Sequence, residues 1–309
     1  MKKKVKILLI NLVLIIVTLI IIELISMGVS YFTNKKSLEL KNSANLLQKF
    51  RYAKAAYIDW DRFCYSFESE DNVKRPIMLL GCSYARGSGL KKKQTLSYKL
   101  FKKTNRNVFN QAIPGSSIQF ALAHFQSGEM KEDVPDAEYI IYVYINYHLA
   151  RLYSYDLDYI ETEINQRYEL KNGELVKIKK PVFPWMYSLF TVKNIQKLIE
   201  FYKSKNEYMD YELFNAVMKE TLKQARENYK DVKFVVLLYP SADYIEDKEP
   251  VLQDFEVEKL KSMGFIVLNA EDLTDKPIRS LDYRVVDKDH PSEQAWDAIV
   301  PALIKKLNL

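Results

Sequence analysis

IMLLGCSYARG, residues 77–87, decides the fold. Its first half, 77–81, is a short uncharged apolar run preceded by Arg75-Pro76, which fits a parallel strand buried on both faces. Its second half is small and polar, which fits a tight turn from strand into helix. Four more runs of the same kind follow: NVFNQAI (107–113, stopped by Pro114-Gly115), EYIIYVYIN (138–146), VKFVVLLYP (232–240) and FIVLN (265–269). They are rich in β-branched and aromatic residues, as strands are. Helical spacing fills 90–103, 116–130 and 251–263 between them, and 292–307 after them. The last of these places Trp296, Ile299, Val300, Leu303 and Leu307 on one side. Strand–helix alternation predicts an α/β fold, a parallel sheet with helices on both faces. Residues 150–230 break the rhythm and read as an insertion. Within it, 160–180 alternates around Asn172-Gly173, a hairpin signal, and 190–230 is mostly helical.

Working back from residue 77, 33–74 reads as a stalk or docking segment, with Leu38, Leu40, Leu46, Leu47 and Phe50 at helical spacing. Ahead of it, Lys2, Lys3, Lys4 and Lys6 precede ILLINLVLIIVTLIII (7–22), and apolar character resumes after Glu23 to Phe32. A bilayer core takes roughly 20 mostly apolar helical residues, so 7–29 is long enough to span. The leading lysines favour a cytoplasmic N-terminus. The expectation is a single-pass membrane protein: cytoplasmic lysines and transmembrane helix in 1–32, everything later extracytoplasmic. A cleaved signal peptide ending near Ser26-x-Gly28 is the rival reading. Either one permits a Cys64–Cys82 disulfide.

Composition narrows the function. The chain has 309 residues, is 48% hydrophobic and carries a formal net charge of +6. Residues 1–32 hold +3 of that, leaving +3 over the other 277. That is too weak a basic footprint for a nucleic-acid binder. Two cysteines make no disulfide framework, and the three histidines and the cysteines have no zinc-site spacing, so no metal or cofactor is expected.

In open parallel sheets, working residues sit just past the carboxyl ends of strands. Gly81-Cys82-Ser83-Tyr84, Pro114-Gly115-Ser116 and Asn146-Tyr147-His148 fall there, and Asp287-Lys288-Asp289-His290 precedes the last helix. A serine needs a base to become a nucleophile, and the base needs an orienting acid. Asp287 and His290 are three apart, so one turn can present both. The Ser83 and Gly115 amides with the Asn146 side chain can form an oxyanion hole. Each piece alone has a plainer reading: Ser83 as a helix cap, Gly115 as a turn glycine, Asn146 as a capping residue, His290 as a loop residue.

Together and in order, the four blocks resemble the SGNH (GDSL-like) hydrolase superfamily. LLGCSYARGSGL (79–90) is similar to its nucleophile block, NQAIPGSS (110–117) to the glycine block, YVYINYHLAR (142–151) to the asparagine block, and VVDKDHPSEQAW (285–296) to the Asp-x-x-His block. Two departures stand out: Cys82 precedes the serine where aspartate is commoner, and the third block reads Ile-Asn-Tyr-His rather than Gly-x-Asn-Asp. The resemblance implies a three-layer α/β/α sandwich of flavodoxin-like layout. It also implies Ser83 as nucleophile, His290 as general base, Asp287 as its orienting acid (Asp289 being the other candidate), and Ser83, Gly115 and Asn146 as oxyanion donors. Arg86 and His148 are candidate substrate-binding residues, and Arg151 is a second cation able to meet an anionic substrate.

The expected activity is a serine esterase that removes acyl groups, acetyl in particular, from a cell-surface carbohydrate. Two alternatives stay open. One is an O-acyltransferase of surface polysaccharide working with a multi-span membrane partner. The other is a non-catalytic glycan-binding or assembly subunit on a hydrolase fold.

Overall fold

Strand β1 (Ile77–Gly81) is buried along its whole length and pairs on both sides. Ile77, Met78, Leu79 and Leu80 are each 0–1% exposed. Burial of such side chains contributes about 1.5–3 kcal/mol apiece, which favours the centre of a sheet for this segment. The computed structural model of the chain describes residues 17–18, 21–22, 25, 66–69, 74–153, 167–178, 211–241, 251–278, 280–285 and 289–309.

After β1 come a one-turn helix α1 (Ser83–Arg86), a 3₁₀ turn (Lys92–Gln94), helix α2 (Leu96–Thr104) and strand β2 (Val108–Asn110). Helix α2 starts later than the spacing predicts because Thr95 caps it: its hydroxyl accepts from the Tyr98 amide at 3.4 Å. Strand β2 is shorter than predicted because the Asn110 side chain accepts the Ala112 amide at 3.1 Å and turns the chain. Helices α3 (Ile118–Ser127) and α4 (Glu129–Asp133) follow, split at Gly128, where one helix was expected. Strand β3 (Tyr139–Tyr144), helix α5 (Tyr147–Tyr153) and a hairpin of β4 (Tyr168–Lys171) and β5 (Glu174–Lys177) come next. Asn172-Gly173 makes the hairpin turn, as the sequence predicts. The chain ends with α6 (Tyr211–Asn228), β6 (Lys233–Leu238), α7 (Asp254–Met263), β7 (Ile266–Asn269) and α8 (Glu293–Leu307).

The five main strands form one parallel sheet in the order β2-β1-β3-β6-β7. Alternate side chains feed two separate cores. Met78, Leu80, Ile140, Tyr142, Phe234 and Val236 pack with α3, α6 and α7. Ile77, Leu79, Ile141, Val143, Val235 and Leu237 pack with α2 and α8. The result is the three-layer α/β/α arrangement. Helix α6, within the stretch read as an insertion, is the crossover between β3 and β6, and it packs on α3. Phe67 pairs antiparallel with Val108 through two 2.9 Å backbone bonds and so covers the β2 edge.

All of these elements belong to one of two compact units, Asp59–Ser154 with Tyr159–Ile178 and Asp210–Leu309. The other unit is Met1–Ile58 with Tyr155–Asp158 and Lys179–Met209. Its described residues, Val17, Thr18, Ile21, Ile22 and Ile25, are helical and exposed. Among the described residues no helix is long and apolar enough to cross a membrane. The predicted span 7–29 lies mostly outside the described residues, as do residues 33–65 of the stalk segment and the Ser26-x-Gly28 site.

Candidate active site

The chain runs from β1 outward to β2, then back across to β3, so the sheet reverses direction between β1 and β3. Such a switch point opens a crevice at the carboxyl ends of the strands. Ser83 stands there. Gly81 makes the turn possible: its φ is +137°, and a Cβ at that position would lie 2.9 Å from the Val143 carbonyl oxygen on the neighbouring strand. Only glycine suits both demands. Cys82 is the extended residue ahead of α1, and Arg86 and Gly87 amides bond back to the Cys82 and Ser83 carbonyls at 3.0 Å. Ser83 is thereby lifted to the start of a single helical turn, half-buried.

His290 reaches it from 207 residues away: Nε2 and Ser83 Oγ are 2.8 Å apart. The loop carrying His290 is closed on itself. Arg284 and Pro291 form an antiparallel bridge, the Val285 amide donates to the His290 carbonyl at 2.9 Å, and the Ser292 amide donates to the Tyr283 carbonyl at 2.9 Å. Ser292 then caps α8 through the Ala295 amide at 3.3 Å. Asp287, the predicted orienting acid, lies outside the described residues. Asp289 is described, and its Oδ1 accepts from the Tyr84 hydroxyl at 2.6 Å.

The predicted oxyanion residues end neighbouring strands. Gly115 sits in the turn after β2, closed by the Ser116 amide on the Ile113 carbonyl at 3.0 Å. That turn is tied to β1, because the Ser116 hydroxyl donates to the Gly81 carbonyl at 2.8 Å. It is tied to α5 as well, because Arg151 Nη1 donates to the Ser116 carbonyl at 2.9 Å. Asn146 follows β3, half-buried, and its Oδ1 accepts from the Ser241 amide beyond β6 at 3.4 Å. Fixing the oxygen sets which end of the amide carries the remaining donors.

One expectation changes. His148 is not at the substrate surface: it is 0% exposed. Its Nδ1 is 2.6 Å from the Tyr142 hydroxyl, and its ring stacks on Tyr142 at 5.3 Å and meets Tyr144 edge-on at 5.6 Å. Burial holds its pKa well below the ordinary histidine value, with the Arg151 charge adding to the effect. Helix α5 begins at Tyr147 and turns the ring inward, which the strand-end position alone does not reveal. Cys82 is a free buried thiol, and Cys64 lies outside the described residues. Arg86 ends α1, half-buried, one turn beyond Ser83.

Sequence reasoning missed Tyr84 and Arg284. Tyr84 is 2% exposed, and burial together with the Asp289 charge pushes its phenol far above the ordinary tyrosine range, so it stays protonated as a donor. Arg284 is 6% exposed, and its Nη1 and Nη2 donate to the Asp289 and Pro240 carbonyls at 2.6 and 2.7 Å. Adjacency to Ser83 and to the Asp-x-x-His block was the only sequence signal for either. Among the described residues no cluster of histidine, cysteine and carboxylate side chains has metal-site geometry.

No protein-family model and no curated protein matches the sequence. Solved structures do resemble it. A member of the lipolytic protein G-D-S-L family from Veillonella parvula is 11% identical, with a TM-score of 0.44 over 75% of this chain and 97% of that one. An acetyl xylan esterase from the rumen bacterium Butyrivibrio proteoclasticus is 12% identical, with a TM-score of 0.41 over 76% of this chain and 63% of that one. A carbohydrate esterase of family 2 from Myceliophthora fergusii is 10% identical, with a TM-score of 0.41 over 79% and 69%.

Proposed function

We propose that the chain is a serine ester hydrolase. The observation that carries this reading is the 2.8 Å approach of His290 Nε2 to Ser83 Oγ at the switch point of the sheet. With its proton on Nδ1, the His290 ring accepts the Ser83 hydroxyl proton at Nε2. Ser83 Oγ then bonds to the ester carbonyl carbon, and the carbonyl oxygen takes the negative charge. The Ser83 and Gly115 amides and the Asn146 side chain stabilise that oxyanion. Collapse breaks the carbon–oxygen bond to the alcohol, which leaves with the proton from His290. Water repeats the sequence on the acyl-serine: His290 takes its proton, the acid departs, and Ser83 is restored. Asp287 is the carboxylate proposed to hold the imidazolium.

The proposed substrate is an acyl ester, acetyl in particular, of a cell-surface carbohydrate. The run 7–29 would anchor the protein with its catalytic unit outside the membrane, where such esters lie. The same run supports a second reading, transfer of the acyl group from Ser83 to a polysaccharide hydroxyl instead of water, with a multi-span membrane partner supplying the donor.

The test uses full-length protein in detergent, a fluorophosphonate probe and p-nitrophenyl acetate. Labelling and hydrolysis should both vanish in Ser83→Ala, and hydrolysis should fall by about 10²–10⁴ in His290→Ala. Labelling that survives Ser83→Ala, or a folded wild type that neither labels nor hydrolyses, refutes the esterase reading and leaves glycan binding. Acyl transfer exceeding hydrolysis when glycan is added favours the second reading.

A further inference from the structure

Next to the Ser83–His290 contact runs a second one that the proposed chemistry does not use. Tyr84, the residue after the nucleophile, donates its hydroxyl to Oδ1 of Asp289, the residue before the base, at 2.6 Å. Its ring also lies 5.3 Å from the His290 ring, tilted by 52°. Arg284 braces this pair from behind. Its guanidinium joins the Asp289 carbonyl to the Pro240 carbonyl past the end of β6, as described above. It also lies over the rings of Tyr84, at 6.0 Å, and Tyr239, at 5.2 Å. Tyr239 in turn meets Tyr84 edge-on at 5.7 Å and packs against Trp296 of α8 at 5.5 Å. The base-bearing loop is thus fastened to the nucleophile turn at one point and to the sheet at another.

We infer that Tyr84 and Arg284 are positioning residues for the general base, holding Asp289 so that the neighbouring His290 meets the Ser83 hydroxyl. The inference rests on the serine–histidine reading above. Neither residue touches the reacting atoms. Their contribution is geometric: a catalytic group displaced by about 1 Å can cost about 10²-fold in rate. The phenol suits this role because burial and the adjacent carboxylate keep it protonated. Arg284 suits it because a planar fork can serve two carbonyls at once, which a lysine ammonium on a flexible stem does poorly.

The test compares full-length wild type with Tyr84→Phe, Asp289→Ala, their double variant, and Arg284→Lys. Readouts are kcat and KM for p-nitrophenyl acetate, the rate of fluorophosphonate labelling, and the thermal midpoint. Tyr84→Phe keeps the ring and removes one oxygen, so the fold survives. Its kcat and labelling rate should fall about tenfold with KM within about twofold, since positioning acts on the reacting geometry and not on uniform binding. The double variant should be no slower than the slower single, because both substitutions break one contact. Arg284→Lys should lose more than Tyr84→Phe. A Tyr84→Phe protein that labels at the wild-type rate, a loss confined to KM, or losses that multiply in the double variant would each overturn the inference while leaving the esterase intact. A wild type without Ser83-dependent labelling would overturn both.

Discussion

Gly81→Ala puts the close packing of the nucleophile turn to a quantitative test. The new methyl would sit 2.9 Å from the Val143 carbonyl oxygen and 3.1 Å from the Ala85 Cβ, at a φ of +137°. Two costs add. Backbone held in a sparsely populated region costs about 1–3 kcal/mol. Forcing a methyl into filled space costs about 1–3 kcal/mol more. Fewer unfolded conformations return about 0.4–1 kcal/mol. The balance is about 3 kcal/mol, which for a domain of this size lowers the thermal midpoint by about 6–12 °C. Gly128→Ala is the control. It also has a positive φ, +85°, but a Cβ there meets nothing within 4 Å. Only the backbone cost applies, partly offset by the unfolded state, so about 1.3 kcal/mol remains and its midpoint should drop by about 3–5 °C. Circular-dichroism melts of the full-length variants side by side separate the terms. Midpoints within about 2 °C of each other would show that the approach of the Val143 carbonyl does not demand glycine, and the reasoning would fail. In the surviving Gly81→Ala protein, fluorophosphonate labelling should also slow, because the displaced strand end carries Ser83 with it.

Asn146→Ala removes a proposed oxyanion donor and should lower kcat by about 10²–10³ with little change in KM; a wild-type kcat would remove Asn146 from the set. His148→Gln addresses the buried histidine. The folded ring stays neutral well below the ordinary histidine pKa, while the unfolded chain takes up a proton there. The unfolded state therefore binds more protons as pH falls below about 6.5, and stability declines in that direction by about 1.4 kcal/mol per unit while the folded ring resists protonation. Denaturant titrations from about pH 7 to 5 should show that decline in wild type, and a smaller one in the variant; equal slopes would refute the assignment.

The sheet was legible because its strands are buried on both faces. Strands β1, β3 and β6 read as continuous apolar runs, and α8 shows its buried side at 296, 299, 300, 303 and 307 directly. The ends were less legible, because side chains that cap or turn the chain set them: Thr95 for α2, Asn110 for β2. Ser83 and His290 were legible because each sits in a local pattern tied to a strand end or a helix start. His148 misled for the same reason. It follows a strand end, yet a helix begins one residue earlier and folds its ring onto Tyr142. Tyr84 and Asp289 could not be paired from the sequence. They are 205 positions apart, and one tyrosine among 22 carries no periodic signal.

That pairing bears on how a loop can present a base at all. A single hydrogen bond contributes only about 1 kcal/mol net, and it leaves the loop free to pivot about the bond. Ser83–His290 alone would be such a pivot. Because Tyr84 adjoins Ser83 and Asp289 adjoins His290, the two contacts of 2.8 and 2.6 Å act as parallel rungs between the same two segments. Two rungs fix orientation as well as distance. The second rung is part-buried and runs from a phenol to a carboxylate, a pairing that makes for the stronger bond. It costs the nucleophile nothing, since Ser83 keeps its hydroxyl for the histidine. Asp289 is the carboxylate that carries this structural task.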